Sequence, residues 1–311
     1  MNLIDVAREF QSEELCLAYL EKLRWPIGLA CLKCGSVKVK KLNVKAKAGK
    51  TRKRGESRWI YQCLEQTCRH QFTATTGTIF HDSHLPLSKW FIALALICQA
   101  KKGISANQIK RHLGVQYRTA WYLCHRIRKA MDETNSDLLT GTVEVDETYV
   151  GGKYDARRNR GPYEKQSIMG LAQRGGKVEA GLISNRESKV LLGVIRDRVS
   201  KRARVITDEF SSYGPLWLSH RRHQRINHIK GEYFRISDIH TNTIENFWSL
   251  LKRGIIGSFH KVSVKHLQRY LAEFTYRFNQ RKNDGMFALT LHRLLDRIRM
   301  PYSELIAERR A

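Results

Sequence analysis

No run of eighteen apolar residues occurs in the chain, so no transmembrane helix is expected. The opening Met1-Asn2-Leu3-Ile4-Asp5 lacks the basic-then-apolar plan of a secretory signal. Acidic residues are scarce: 29 Asp and Glu face 56 Lys and Arg in 311 residues, a net charge of +27. A chain with that excess calls for a polyanionic partner, and with membrane insertion disfavoured that partner is nucleic acid. An even cysteine count is also missing. The seven cysteines, without a secretory signal, argue against a disulfide framework. Cys16, Cys98 and Cys124 sit in apolar helical patterns and read as small buried residues.

The other four cysteines form two knuckles, Cys31-Leu32-Lys33-Cys34-Gly35 and Cys63-Leu64-Glu65-Gln66-Thr67-Cys68. Two cysteine pairs on tight turns supply a tetrahedral Zn²⁺ site with no open position, so the zinc is structural. His70 is an alternative to Cys68 as fourth ligand. The second knuckle has a wider gap than the first. Between them runs a basic arm that includes Lys45, Lys50, Arg52, Lys53 and Arg54, suited to lying along phosphates. Phe72 to Phe80 reads as a strand closing the ribbon. Before it, residues 12–24 read as a helix capped by Ser12, with Leu15, Tyr19, Leu20 and Leu23 on its inner face.

Three helical patterns follow: Ser88 to Ala100, Ser105 to Leu113, and Gln116 to Met131, the last with Trp121, Leu123, Cys124 and Ile127 inward. The second and third, joined at Gly114, have the plan of a helix-turn-helix. That arrangement offers Gln116, Tyr117, Arg118 and Thr119 to a major groove, with Lys110 and Arg111 alongside.

At Thr142 the period changes. Thr142 to Val150 is rich in β-branched and aromatic residues and reads as a strand stopped by Gly151-Gly152, yet carries Glu144, Asp146 and Glu147. Carboxylates in a sheet need an arginine or a metal ion beside them. Glu147 neighbours Asp146 and is expected to point to the opposite face, away from any metal. Gln166 to Ala172 and Lys177 to Ser184 form a hairpin about Arg174-Gly175-Gly176, Glu187 to Val199 a helix, and Arg204 to Asp208 a strand parallel to the first. This is the opening of an RNase H-like α/β domain, a mixed sheet with flanking helices, in which Asp208 lies beside Asp146. Asn242 to Arg253 is a helix with Ile244, Phe247, Trp248, Leu251 and Ile255 on its buried face. Glu245 and Lys252 project together from the margin of that face. Val262 to Asn279 packs behind the sheet, and Ala288 to Arg310 is a basic amphipathic helix or two.

Taken together, these motifs resemble bacterial insertion-sequence transposases of the DDE type with an N-terminal zinc ribbon, the ISXO-type, Merlin-related group. The resemblance rests on Gly77-Thr78-Ile79-Phe80-His81-Asp82-Ser83-His84-Leu85-Pro86-Leu87, Val145-Asp146-Glu147-Thr148-Tyr149-Val150-Gly151-Gly152, Thr207-Asp208 and the Asn242 to Arg253 helix. The chain departs from the common pattern at Leu32, where proline is usual, and in the second knuckle, which is two residues longer. The resemblance implies that Asp146, Asp208 and Glu245 are a catalytic triad holding Mg²⁺ or Mn²⁺, with Lys252 the basic residue two turns after the last acid. It also implies double-stranded DNA as partner, both transposon ends and target, contacted by Lys252 and Arg253 among others. A homodimer or higher oligomer on DNA and a cytoplasmic, nucleoid-associated location follow from the same resemblance. The expected organisation is an N-terminal helix (1–30), the zinc ribbon (31–80), the helix-turn-helix (81–135), the catalytic domain (140–283) and a helical tail (284–311). The alternative is a catalytically idle DNA-binding regulator of transposase descent.

Overall fold

The computed structural model describes residues 1–45, 57–133, 137–151, 165–226, 238–298 and 300–307. In chain order the elements are α1 (Leu3–Glu9), α2 (Glu13–Arg24), β1 (Val39–Lys45), β2 (Ser57–Cys63), β3 (Gln71–Phe72), α3 (Leu87–Gln99), α4 (Ala106–Leu113), α5 (Tyr117–Ala130) and β4 (Thr142–Val150). There follow β5 (Gln166–Gln173), β6 (Val178–Leu182), α6 (Ser188–Arg198), β7 (Arg204–Thr207), β8 (His223–Arg225), α7 (Asn242–Gly254), α8 (Val264–Asn279), α9 (Met286–Asp296) and α10 (Tyr302–Ile306). The chain forms two compact units. One comprises Met1–Gln99, Ala106–Ala130 and Asp284–Ala311, the other Ala100–Ser105 and Met131–Asn283. Among the described residues, no helix is long and apolar enough to cross a membrane.

In the first unit, α2 begins where expected: Ser12 Oγ accepts from the Leu15 amide at 3.3 Å. Its inner face is shifted, however. Cys16 and Leu20 are buried, whereas Leu15 is exposed and Tyr19 and Leu23 only half-buried. The spacing of Cys16 and Leu20, one turn apart, selects the face, and a thiol is apolar enough to lead it. The ribbon strands pair antiparallel in the order β1-β2-β3.

The strand expected from Phe72 to Phe80 stops at Phe72. Beyond it the threonines fold into turns: the Thr73 amide donates to Thr76 Oγ1, Thr78 Oγ1 donates to the Thr75 carbonyl, and Gly77 adopts φ +77°. Arg24 from the end of α2 donates to the carbonyls of Thr73, Ala74 and Thr76. Side-chain hydroxyls that bond local backbone compete with a strand ladder, and here they win. The three helical patterns form α3, α4 and α5, with Gly114 between the last two at φ +60°. In α5, Leu123, Cys124 and Ile127 are buried. Trp121 is only half-buried, set edge-on against His125 at 4.5 Å.

The second unit is built on a five-stranded sheet, order β6-β5-β4-β7-β8. β4 runs antiparallel to β5 and parallel to β7, so the expected mixed sheet is present. The hairpin turn lies at Gly175, φ +70°. Val143 and Val145 face a core shared with Leu191, Ile195, Tyr213 and Leu216. The opposite side of the sheet, through Ile168, Ala172 and Val178, packs on α7 and α8 through Ile244, Phe247, Leu251, Leu271 and Phe274. Every residue of the expected inner face of α7 is buried.

Candidate functional site: a cysteine cluster and an acidic cluster

In the ribbon, one ligand atom from each of Cys31, Cys34, Cys63 and Cys68 lies within 4.8 Å of the other three. The Cys31–Cys68 and Cys34–Cys63 sulfurs are 3.7 and 3.6 Å apart. Four sulfurs around a tetrahedral Zn²⁺ at about 2.3 Å stand ~3.8 Å from each other, so this donor set has the chemistry and the span for zinc. The knuckle turn is made by Gly35, φ +72°, whose amide donates to the Cys31 carbonyl at 2.9 Å. His70 is not in the cluster; its ring stacks on Phe72 at 5.7 Å. Of the two alternatives for the fourth position, Cys68 is the one gathered with the other three. Trp25 packs edge to face against Tyr61 and Phe72 beside the thiols.

Strand β4 carries three carboxylates, and each meets a different fate. Glu144 is fully buried. It accepts from Arg174 Nε at 2.7 Å, from the Thr243 amide at 2.7 Å and hydroxyl at 3.0 Å, and from the Ile244 amide at 3.1 Å. The N-cap residue of α7, Thr241, makes no side-chain capping bond. Glu144 does that work from the neighbouring strand, satisfying orphan amides and facing the positive end of the helix dipole. Its need for a cation is met by Arg174.

Asp146 points to the same side of the sheet. Its Oδ2 accepts from Trp248 Nε1 at 3.0 Å. The indole can lie there because the residue paired with Asp146 on β5 is Gly170. A Cβ at Gly170 would come within 2.5 Å of the Trp248 ring and 2.6 Å of Ile244. Burial pushes the Asp146 carboxyl up to about 7, reinforced by the charges of Glu147 and Asp208 and opposed by the Trp248 hydrogen bond.

Asp208 arrives at the end of β7. The β4–β7 pairing runs Thr142↔Arg204, Val143↔Val205, Glu144↔Ile206, and β7 stops at Thr207. Asp208 Oδ1 accepts from the Phe210 amide at 3.1 Å, which turns the chain away from the sheet. Beyond that end the flank of β4 is open, and the carboxylates of Asp146, Glu147 and Asp208 come within 4.8 Å of one another.

The inclusion of Glu147 corrects an expectation. Its side chain does leave β4 on the opposite face, as alternation requires, where Tyr213 Oη donates to its Oε1 and Arg186 Nη2 donates to its Oε2 at 3.0 Å. It is nevertheless not remote from the other two acids, because no strand separates the faces past Thr207. Burial raises the Glu147 pKa too, against the Tyr213 hydrogen bond and the Arg186 charge.

Glu245 is not a member of this cluster. It is exposed in the first turn of α7, and its Oε1 accepts from Thr241 Oγ1 at 2.6 Å. It stands one turn before Trp248, on the helix edge that reaches Asp146. Lys252 and Arg253 are exposed further along α7, with Arg253 Nε on the Ser249 carbonyl at 3.1 Å. Lys110 and Arg111 on α4, and Gln116 to Thr119 at the start of α5, are exposed. The Arg118 guanidinium lies over the Tyr302 ring at 4.3 Å. Lys45 is the last residue of β1, while Lys50, Arg52, Lys53 and Arg54 lie outside the described residues. Sequence reasoning missed Trp248 as a partner of Asp146, Gly170 as the space that admits it, and Arg186 and Tyr213 as partners of Glu147. A glycine inside a strand signals close approach and was the one available hint.

The donor set of the acidic cluster is all oxygen, which suits a hard divalent cation. Comparison with known proteins agrees. Residues 138–279 match the ISXO2-like transposase domain, and residues 11–71 match the transposase zinc-ribbon domain. The chain is 30% identical over 302 residues to a protein of the transposable element ISH50 of Halobacterium salinarum, covering 91% of this chain and 96% of that one. It is 37% identical over 103 residues to a transposase-like protein of Haemophilus influenzae, covering 33% of this chain and 81% of the relative. With a relative alike over nearly its whole length and both domains matched, this chain belongs to the zinc-ribbon insertion-sequence transposases of the ISXO2-like family.

Proposed function

We propose that the protein binds the terminal repeats of its insertion sequence and carries out metal-dependent strand cleavage and strand transfer. The observation that carries this reading is the meeting of Asp146 and Asp208, 62 positions apart in the chain, at the open end of β7. Asp146 and Asp208 would hold divalent metal, Mg²⁺ or Mn²⁺, with Glu245 as the third acid. Two such ions supply activation of the attacking oxygen and stabilisation of the leaving one. Glu245 is assigned its part because it stands one turn before Trp248, whose indole reaches Asp146. Trp248 orients the Asp146 carboxylate by fixing one of its oxygens. Lys252, two turns on, holds a substrate phosphate as a point charge.

Recognition belongs, in this reading, to residues 31–80 and 81–135. The ribbon is held by zinc, and the exposed Gln116, Tyr117 and Arg118 at the start of α5, with Lys110 and Arg111, face the groove as a helix-turn-helix. The basic excess supports phosphate contact along a duplex. Binding two ends at once calls for a dimer or larger assembly on DNA, in the nucleoid of the cytoplasm. The test is transfer of a labelled transposon end into target DNA with Mg²⁺ or Mn²⁺. Joined product from the wild-type chain, lost in Asp146→Asn and Asp208→Asn while end binding persists, is the expected result. Equal joining by the variants would overturn the assignment, and binding without joining by the wild type would leave a regulator.

A further inference from the structure

Strand β4 presents Glu147 in a setting that an ordinary surface carboxylate does not have. Its side chain is 1% exposed, and both its oxygens are held, one by the hydroxyl of the fully buried Tyr213 and one by Arg186. Arg186 is itself fixed, its guanidinium 4.1 Å from the Phe210 ring centroid and its carbonyl accepting from Ser212 Oγ at 2.9 Å. The Glu147 carboxylate therefore cannot swing out to water without breaking two bonds and leaving Arg186 unmatched. Yet it lies within 4.8 Å of the Asp146 and Asp208 oxygens. When all three are ionised, three carboxylates and one guanidinium leave two negative charges uncompensated in a partly dry pocket, the charge of one divalent cation. Each held oxygen still has a second lone pair. Glu245, by contrast, is exposed and turned to Thr241.

We propose that Glu147, locked by Tyr213 and Arg186, is a metal ligand of the DNA-free protein, forming with Asp146 and Asp208 a cation site that exists before Glu245 takes part. The inference rests on the proposed metal-dependent function and deepens it. It separates two tasks that a triad description assigns to the same residues: retention of a cation by the free protein, and completion of the site on substrate.

The test is a Mn²⁺ titration of the full-length, zinc-loaded chain without DNA, read by the paramagnetic signal of free Mn²⁺ and by calorimetry. Glu147→Gln should weaken Mn²⁺ binding tenfold or more, and so should Asp146→Asn. Glu147→Asp, which keeps the charge on a shorter arm, should give an intermediate loss. Glu245→Gln should bind Mn²⁺ within about twofold of the wild type. Because Glu147→Gln also frees the Arg186 charge, the double variant Glu147→Gln/Arg186→Gln is the control. If Glu147 is a ligand the double variant stays weak; if it serves only to neutralise Arg186, affinity returns and the inference fails. Wild-type affinity in Glu147→Gln, or an equal loss in Glu245→Gln, overturns it as well. Wild-type affinity in Asp146→Asn and Asp208→Asn too would remove the metal site altogether, and the proposed function with it. Thermal midpoints of all variants identify any that fail to fold, and Glu147→Asp then carries the comparison.

Discussion

The cysteine cluster and the acidic cluster gather metal-ligand side chains by opposite means. In the ribbon, two short knuckles each bring a pair, and a single antiparallel strand pairing, Val39 with Cys63, brings the pairs together. In the sheet, Asp146 and Glu147 leave opposite faces of β4 and meet Asp208 only because β7 ends early. The ribbon has only a small core, in which Trp25, Tyr61 and Phe72 pack beside the four cysteines. The sheet has larger hydrophobic cores on both faces. A cluster made within two knuckles is coded by spacing, whereas one made across strands is set where the scaffold ends.

Removing a ligand from each cluster breaks the comparison most sharply. Cys34→Ser should reduce bound zinc from one per chain to none by elemental analysis. It should also abolish amide-exchange protection across β1–β3, since zinc binding and ribbon folding are one event, worth ~10 kcal/mol or more. Asp146→Asn should leave the same protection and the zinc intact while cutting end joining on the order of 10⁴-fold.

The two carboxylates that share a face of β4 should respond with opposite signs. Glu144→Gln removes the charge that pairs Arg174 and caps α7, so it should cost about 3–5 kcal/mol in denaturant unfolding. Asp146→Asn should stabilise the metal-free protein. The pKa of Asp146 is raised in the fold to about 7, so its protonated form contributes stability below the unfolded value near 4, and that contribution is lost as pH rises through 7. The gain in Asp146→Asn should therefore be small at pH 4 and on the order of a few kcal/mol at pH 8. A pH-independent difference would mean that Asp146 does not titrate in this range. By the same sign, the affinity of the proposed site for a divalent cation should rise with pH up to about 7, because the cation competes with the proton.

Smaller effects sharpen the acidic side. Gly170→Ala adds a Cβ 2.5 Å from the Trp248 ring. It should cost about 1–3 kcal/mol by overpacking and shift the indole off Asp146. Trp248→Phe loses the N–H donor together with the part of the indole that packs over Gly170, so joining should fall at least roughly tenfold, the scale of one charge-assisted hydrogen bond. A larger loss in Trp248→Phe than in Gly170→Ala would assign the effect to the hydrogen bond; the reverse would assign it to helix position. The smallest expected effect is common to every variant in the acidic cluster: affinity for a transposon end should keep a log–log salt slope near −7, the mark of ~8 neutralised phosphates. A slope shallower than about −2 would remove the basic excess as a DNA footprint.

Local chemistry decided much of this protein in advance. The knuckle spacing, the Ser12 cap, the apolar stripe of α7 and the alternation of β4 are each set by residues within a few positions of one another, and the structure carries all four. Asp208 beside Asp146 was also legible, since a strand–hairpin–helix–strand order fixes which strands neighbour each other. Other features depended on partners far along the chain. Thr73 to Phe80 has strand-forming residues, but Arg24 and local hydroxyl bonds hold it as turns. Glu144, Asp146 and Glu147 are near-identical acids within four positions of one strand. Only the arrival of Arg174 and the start of α7 makes the first a helix cap. The indole admitted by Gly170 orients the second, and Tyr213, beyond β7, with Arg186, just before α6, holds both oxygens of the third. A side chain's type and its face on a strand follow from the sequence near it. The charge it meets across a sheet, and whether a neighbouring strand shields it, belong to the tertiary structure, because those contacts join residues that are distant in the chain.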